Sequence, residues 1–140
     1  MMMRAVQCKS WGGPKNLVLE EMAVPEPGPG QVRIAVQAAG VNFADTLMIA
    51  GKYQERPDFP FVPGLEAAGE IDAVGKGVIG IKEGDRVMAI LGHGAFAERA
   101  LAPAEAVFHI PKSMDAMTAA GFPVAYGTSH VALRHRAQLK

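Results

Sequence analysis

Four polar side chains between residues 42 and 66 are the main candidates for chemistry in this 140-residue sequence. They are Asn42, Asp45, Tyr53 and Glu66, and they surround a predicted short helix and a proline-rich loop. An amide, a phenol and two carboxylates can exchange hydrogen bonds with a bound substrate or cofactor. Each also has an ordinary structural explanation, since Asn42 can cap a helix, Asp45 can favour its N-terminus, Tyr53 can pack and Glu66 can begin a strand. Spacing alone leaves both interpretations open.

Side chains that usually bind zinc are too few and too scattered to predict a metal site. The single cysteine is Cys8, whereas catalytic zinc needs about three converging ligands and structural zinc usually needs several thiolates. His93 and His109 are far apart in sequence, and His130 and His135 are expected on poorly aligned faces of one helix. A serine nucleophile is not indicated either, because no serine stands in a Gly-x-Ser-x-Gly pattern.

A glycine pattern at residues 75–80 matches the dinucleotide fingerprint Gly-x-Gly-x-x-Gly. In that fingerprint the glycines open a helix whose N-terminus meets the pyrophosphate. Here another predicted strand follows within a few residues and leaves no room for the helix. The looser match at residues 92–97 also continues into a strand. We therefore predict β-turns, and not a nucleotide site, at both places.

Length, composition and charge indicate one small, turn-rich domain. Lys and Arg number 14 and Asp and Glu number 14, so neither a nucleic acid nor an anionic membrane is an expected partner. The 16 glycines and 10 prolines indicate many turns and short strands. No apolar run has the length of a signal peptide or of a membrane span, so the expected location is the cytoplasm.

Short strands with frequent turns make up the predicted framework, which is typical of a barrel or a sandwich. The strands are predicted at residues 4–8, 17–24, 32–38, 66–74, 86–91, 95–101 and 105–110. A short helix is predicted over residues 42–50, with Asn42 as its N-cap and Gly51 just after its end. Two more helices are predicted, over residues 114–120 with Ser113 as the cap and over residues 126–139 after an interruption at Phe122-Pro123.

Several motifs stand in a series that resembles one known family. They are Pro25–Gly30, Ala39–Asp45, Gly51–Tyr53, Pro63–Gly69 and Gly84–Val87. The series resembles the N-terminal, GroES-like catalytic domain of medium-chain dehydrogenases/reductases, specifically the zinc-independent quinone oxidoreductase branch, and covers essentially the whole chain. The resemblance implies a mainly β, GroES-like and partly open β-barrel with short helices and a C-terminal helical segment. Residues 1–123 would form the catalytic domain, and residues 124–140 would begin the interdomain helix.

The resemblance also implies a reaction, which is hydride transfer from NADPH to a quinone or an activated enone. Asn42 and Tyr53 would line the cleft for nicotinamide and substrate, and Tyr53 would donate to the acceptor oxygen. Asp45 would support these catalytic residues, and Thr128 would contact the cofactor. The metal-using branch has a zinc-ligating cysteine where Asn42 stands and a zinc-ligating histidine where Leu65 stands, so no zinc is implied.

The nucleotide-binding Rossmann domain of the family would begin just after residue 140, and none of it is in this sequence. We therefore expect NADPH to be bound mainly by that domain, the isolated chain to be inactive, and any homodimer to belong to a full-length form. The alternative interpretation is a free-standing GroES-like binding or assembly module without catalytic activity. The acceptor, the choice of NADPH or NADH and the oligomeric state stay open.

Overall fold

Seven strands and three short helices form the regular structure in the computed structural model, which describes residues 1–140. The strands are β1 (Met2–Cys8), β2 (Leu17–Ala23), β3 (Gln31–Gly40), β4 (Glu66–Val74), β5 (Arg86–Ile90), β6 (Arg99–Pro103) and β7 (Val107–His109). The helices are α1 (Phe43–Ile49), α2 (Ala116–Ala120) and α3 (Pro123–His130), and a π-helical segment (Val131–Arg136) continues α3. None of these helices combines the length and apolar character that crossing a bilayer requires.

The strands form two antiparallel sheets that stay open at their edges. β1 and β2 make a hairpin in which Met2 lies opposite Ala23, and the other five strands follow the order β6-β3-β4-β5-β7. Single bridges join Ala5 to Ala97 and Cys8 to Phe61, so the hairpin is attached to the segments that precede β6 and β4 and does not extend the larger sheet. The prediction of a mainly β, partly open architecture is confirmed, and the sheets do not close into a barrel.

One face of the larger sheet forms the main core. Val32 and Ile34 on β3 are fully buried beside Ile71 on β4 and Val87 on β5. The alternation of apolar and polar residues predicted β3, because successive side chains of a strand point to opposite faces. The predicted strand over residues 32–38 lies inside β3.

Gly69 marks a close approach of β4 to β3. A Cβ atom at this position would lie 2.0 Å from the backbone oxygen of Ala35. The approach coincides with an irregularity in β3, where the pairing with β4 shifts register between Val36 and Ala38. Only glycine fits here, because the opposing atom belongs to the backbone and cannot rotate away.

Two predicted strands are shorter in the structure. Residues 75–85 form turns, as predicted for the glycine pattern, but β6 begins at Arg99 and not at residue 95. Residues 95–98 instead lie along the hairpin, where the Val6 N–H donates to the Phe96 oxygen at 2.8 Å. Only three residues, Val107–His109, pair with β5 in the last predicted strand.

The helical predictions after residue 111 need three corrections. Asp115, and not Ser113, caps α2, because its Oδ1 accepts from the Thr118 N–H at 2.7 Å. Pro123 does not interrupt the helical region but begins α3. Proline suits this position because the backbone N–H that it lacks has no partner in the first turn of a helix. His130 and His135 are not poorly aligned: their ring centroids lie 5.7 Å apart, because five residues match the hydrogen-bond spacing of a π-helical turn.

Candidate functional site

Glu66 is the centre of a buried hydrogen-bond network that joins three elements. It begins β4, and the residue is only 2% exposed. Its Oε1 accepts from Asn42 Nδ2 at 2.9 Å, and its Oε2 accepts from the backbone N–H of Val124 at 2.8 Å. Both carboxylate oxygens therefore hold a neighbour in place, one at the start of α1 and one in the first turn of α3.

The backbone of β3 makes room for this carboxylate. Gly40, the last residue of β3, lies opposite Glu66 in the strand pairing. A Cβ atom on Gly40 would lie 2.2 Å from Glu66 Oε1 and would displace it from Asn42. The geometry of the network thus depends on the absence of a side chain at Gly40 as well as on the polar groups.

Asn42 and Asp45 organise the first turn of α1. Asn42 is the N-cap, as predicted, and forms a capping box with Asp45. Asp45 Oδ2 accepts from the backbone N–H of Asn42 at 2.7 Å. The backbone and the side-chain amide of Asn42 are therefore held by two different carboxylates.

Asp45 is only 4% exposed as a residue, and its Oδ1 has no hydrogen-bond partner. Burial raises the pKa of Asp45 above its ordinary value, and the negative charge of Glu66 acts in the same direction. The backbone N–H groups of Asn42 and Gly64 oppose the shift, the latter without a hydrogen bond of normal geometry. The folded protein therefore binds a proton at Asp45 more tightly than the unfolded chain does.

This pKa shift predicts a pH-dependent effect of Asp45→Asn on stability. Because the folded-state pKa is raised, ionising Asp45 costs stability, and that cost grows as the pH rises from the ordinary aspartate value through the folded pKa. The wild-type chain should gain stability over the variant on acidification through this window, by at most about 1.4 kcal/mol per pH unit. Urea unfolding of both chains over a pH series measures the difference. A difference that is flat, or that has the opposite slope, would contradict the assignment.

Tyr53 lies half-buried against a small apolar cluster next to the network. The cluster consists of Cys8, Met48, Ile49, Phe61 and Leu65, and Val124 packs on it as well. The hydroxyl of Tyr53 has no partner within the chain, as no hydrogen bond involves it. Tyr53 therefore offers an unused donor beside the residues that Glu66 holds.

Thr128 lies apart from this network. It is exposed on α3, one helical turn beyond Val124 and so on the same side of the helix. Of the sequence candidates, the structure brings Asn42, Asp45 and Glu66 together and places Tyr53 on the adjoining cluster. No three histidine, cysteine, aspartate or glutamate side chains lie close enough together to hold a metal ion.

Two contributors to the site escaped sequence reasoning. The Val124 N–H has no signature of its own, because every residue except proline carries that donor. The contact joins residues 58 positions apart, which no local pattern encodes. Gly40 could have been suspected, because a glycine within a strand can mark a place where another group approaches the backbone closely.

Comparison with known proteins adds a family context to this geometry. The sequence model of the alcohol dehydrogenase GroES-like domain family matches residues 28–112. The quinone oxidoreductase-like protein 2 homolog of Nematostella vectensis is 44% identical over 139 residues, which cover 98% of this chain and 38% of that protein. The quinone oxidoreductase of Lama guanicoe is 43% identical over 141 residues, which cover 99% of this chain and 43% of that protein.

Solved structures support the same family relationship. The human synaptic vesicle membrane protein VAT-1 homolog-like protein superposes with a TM-score of 0.96 at 41% identity, covering 100% of this chain and 45% of that one. The mycobacterial protein Rv1454c, solved in complex with NADPH, superposes with a TM-score of 0.93 at 35% identity, covering 99% of this chain and 43% of that one. The chain thus spans about two fifths of the length of the proteins it matches.

Proposed function

Because the chain belongs to the alcohol dehydrogenase GroES-like domain family, in the quinone oxidoreductase branch of the medium-chain dehydrogenases/reductases, we propose that it forms the substrate side of an NADPH-dependent active site. The proposed reaction is hydride transfer to a quinone or an activated enone. The observation that carries the proposal is the Glu66 network, which fixes Asn42 and the first turn of α3 beside an unused Tyr53 hydroxyl. The complex of Rv1454c with NADPH supports the choice of cofactor.

The residues present fit one side of such a cleft. NADPH supplies the hydride, so the chain has to orient the acceptor and stabilise the negative charge that develops on its oxygen. The Tyr53 hydroxyl is the donor proposed for that oxygen, because it has no partner within the chain. Asn42 would line the same space, held in one orientation by Glu66. Asp45 and Glu66 act on Asn42 and are positioning residues.

We place the boundary of the catalytic domain at residue 123 and the start of an interdomain helix at residue 124. The Val124 N–H still belongs to the site, whereas Ala125 and all later residues are exposed. Several of these exposed residues are apolar, including Tyr126, Leu133 and Leu139. Thr128 would face the cofactor from this helix, on the side that continues from Val124.

The proposed activity does not depend on zinc. Asn42 has an amide where the metal-using branch has a thiolate, and Leu65 is 8% exposed within the apolar cluster. An amide and an isobutyl group cannot supply the thiolate and imidazole ligands of a catalytic zinc ion. In a chimera that joins this chain to the remaining part of a relative, dialysis against a chelator is accordingly expected to leave turnover unchanged. A loss of turnover on dialysis that added Zn²⁺ restores would count against this proposal.

Variants of Asn42 and Tyr53 test the proposed roles. The test uses a chimera in which residues 1–140 are followed by the part of Rv1454c that this chain does not cover. Asn42→Ala should lower kcat/KM for the acceptor by about 100-fold, and Tyr53→Phe by about tenfold, since each removes an oriented group from the reaction centre. The assay follows NADPH absorbance with a quinone as acceptor.

Gln37→Ala is the matched control, because Gln37 is an exposed amide on β3 and lies outside the network. It should leave both kcat and KM unchanged. Circular dichroism establishes that each variant is folded before its kinetics are compared. Unchanged turnover and unchanged KM for NADPH in both Asn42→Ala and Tyr53→Phe would refute the assignment of the cleft.

A further inference from the structure

A sizeable cavity of the chain lies outside the Asn42–Glu66 network. It has a volume of about 610 Å³ and runs between the β1–β2 hairpin, the edge strand β6 and the loops that contain Pro60 and His93. None of Asn42, Asp45, Tyr53, Glu66 and Val124 lines it. Phe61 belongs to both regions, since it packs in the apolar cluster under Tyr53 and also forms part of the cavity wall.

Gln7 is an unpartnered polar side chain on the wall of this cavity. It is 8% exposed, and no hydrogen bond within the chain involves its side-chain amide. Because Gln7 lines the cavity, the space inside is where its amide can find a partner. The amide is not sealed off, because the one fully buried side-chain polar atom without a partner is Asp45 Oδ1. A ligand or an ordered water in the cavity can therefore reach the amide of Gln7 and complete its hydrogen bonds.

A cationic group lines the same cavity. Arg99 begins β6, and its Nε and Nη1 are used by Asp72 and by the backbone oxygen of Glu98. Its Nη2 has no partner within the chain and remains a free charged donor. Two further titratable groups, Asp58 and His93, also line the cavity, and both are exposed on loops. Arg99 is therefore the group whose fixed charge suits an anion.

Apolar side chains supply most of the remaining wall. Met3 and Met22 come from the two strands of the hairpin, Leu101 from β6, and Phe61 and Val62 from the loop before β4. Methionine side chains are flexible and adapt to varied apolar shapes. A volume of about 610 Å³ falls in the range of sites that enclose small organic ligands.

We propose that this cavity is a second ligand site, which binds a small amphiphilic carboxylate. The carboxylate would accept hydrogen bonds from the Gln7 amide and from Arg99 Nη2, and the apolar tail would lie along Met3, Met22 and Leu101. Charge-assisted hydrogen bonds of this kind are stronger than neutral ones. None of the residues assigned to hydride transfer lines this cavity. Binding at the second site can therefore be tested independently of the proposed function.

Titration of the 140-residue chain with decanoate tests this proposal by two-dimensional ¹H–¹⁵N NMR. We expect shifts at the Gln7 side-chain amide, at the Arg99 guanidinium and at the backbone amides of Phe61 and Leu101. Gln7→Leu, which keeps the volume and removes the amide, should weaken binding by about tenfold. The same variant should be about as stable as the wild type without ligand, because the amide that it removes makes no hydrogen bond within the chain.

Gln37→Leu is the matched control on an exposed position, and it should bind decanoate like the wild type. 1-Decanol carries the same apolar tail without the charge. It should bind at least tenfold more weakly than decanoate, which corresponds to a loss of about 1.4 kcal/mol of binding free energy. Equal binding of both compounds would overturn the carboxylate assignment. Decanoate binding that leaves the Gln7 and Arg99 side-chain signals unmoved, or no binding at all, would overturn the site.

Discussion

Replacing Glu66 with alanine is expected to lower the free energy of unfolding by about 3 kcal/mol. The substitution removes both acceptors of the network and leaves Asn42 Nδ2 and the Val124 N–H without the partners they have in the folded chain. An unsatisfied donor costs about 1–3 kcal/mol when it is fully buried and less when it is partly buried, as these two are, and the lost side-chain volume adds to the cost. Urea unfolding monitored by circular dichroism measures the difference.

Glu66→Gln separates the two hydrogen bonds from the volume of the side chain. A glutamine has one acceptor oxygen, so it can satisfy either Asn42 or Val124 and presents an NH₂ group to the other donor. The expected loss is about 2 kcal/mol, smaller than that of the alanine variant. The pKa of Asp45 should also fall in Glu66→Gln, because the charge of Glu66 is one of the causes that raise it. NMR titration of the Asp45 carboxyl carbon reports that change.

Glu70 provides the matched control for both variants. It lies on the same strand, is exposed, and takes part in no salt bridge or side-chain hydrogen bond. Glu70→Ala and Glu70→Gln should change the free energy of unfolding by no more than about 0.5 kcal/mol. If the Glu66 variants were as stable as these controls, the network would not hold the site together.

Substitution of Gly69 by alanine is the second large effect, with an expected loss of about 3 kcal/mol. The new Cβ would lie 2.0 Å from the Ala35 oxygen, so β3 or β4 has to move at the centre of the larger sheet. Such a shift also disturbs the core residues that both strands carry, including Ile34 and Ile71. Thermal and urea unfolding should both show the loss.

Gly13→Ala serves as the control for this substitution. A Cβ at Gly13 would meet nothing within 4 Å, and its φ of −89° is accessible to alanine. The control should therefore be neutral or slightly stabilised, because alanine restricts the unfolded chain more than glycine does. Equal stability of Gly69→Ala and Gly13→Ala would show that the strands are not packed as closely as the structure indicates.

Local patterns predicted most of the sheet because its strands follow simple periodicity. β4 occupies the predicted residues 66–74, since apolar residues there are bounded by a proline-rich loop and a glycine turn. The N-cap role of Asn42 was predictable for the same local reason, as a helix needs acceptors for its first N–H groups. The start of β6 was not, because residues 95–98 have strand-like side chains but bond to the hairpin.

The site was harder to predict because it depends on contacts between distant parts of the chain. Sequence reasoning named Asn42, Asp45, Tyr53 and Glu66 as candidates, and the family resemblance implied that this region forms one site. It could not show that both oxygens of Glu66 are occupied, since one partner is a backbone N–H on a helix that begins 57 residues later, at Pro123. The position of Gln7 on the cavity wall was equally hard to predict, because the sequence of a strand does not show which space its side chains face.

Quinone-dependent NADPH oxidation by the chimera and by the 140-residue chain alone is the most direct test of the central claim. If the chain forms the substrate side of a cleft, the chimera should oxidise NADPH with a quinone or an enone, and the isolated chain should show no measurable rate. A rate in the isolated chain equal to that of the chimera would contradict the claim. So would a folded chimera that binds NADPH and reduces neither class of acceptor, which would instead favour a binding or assembly module.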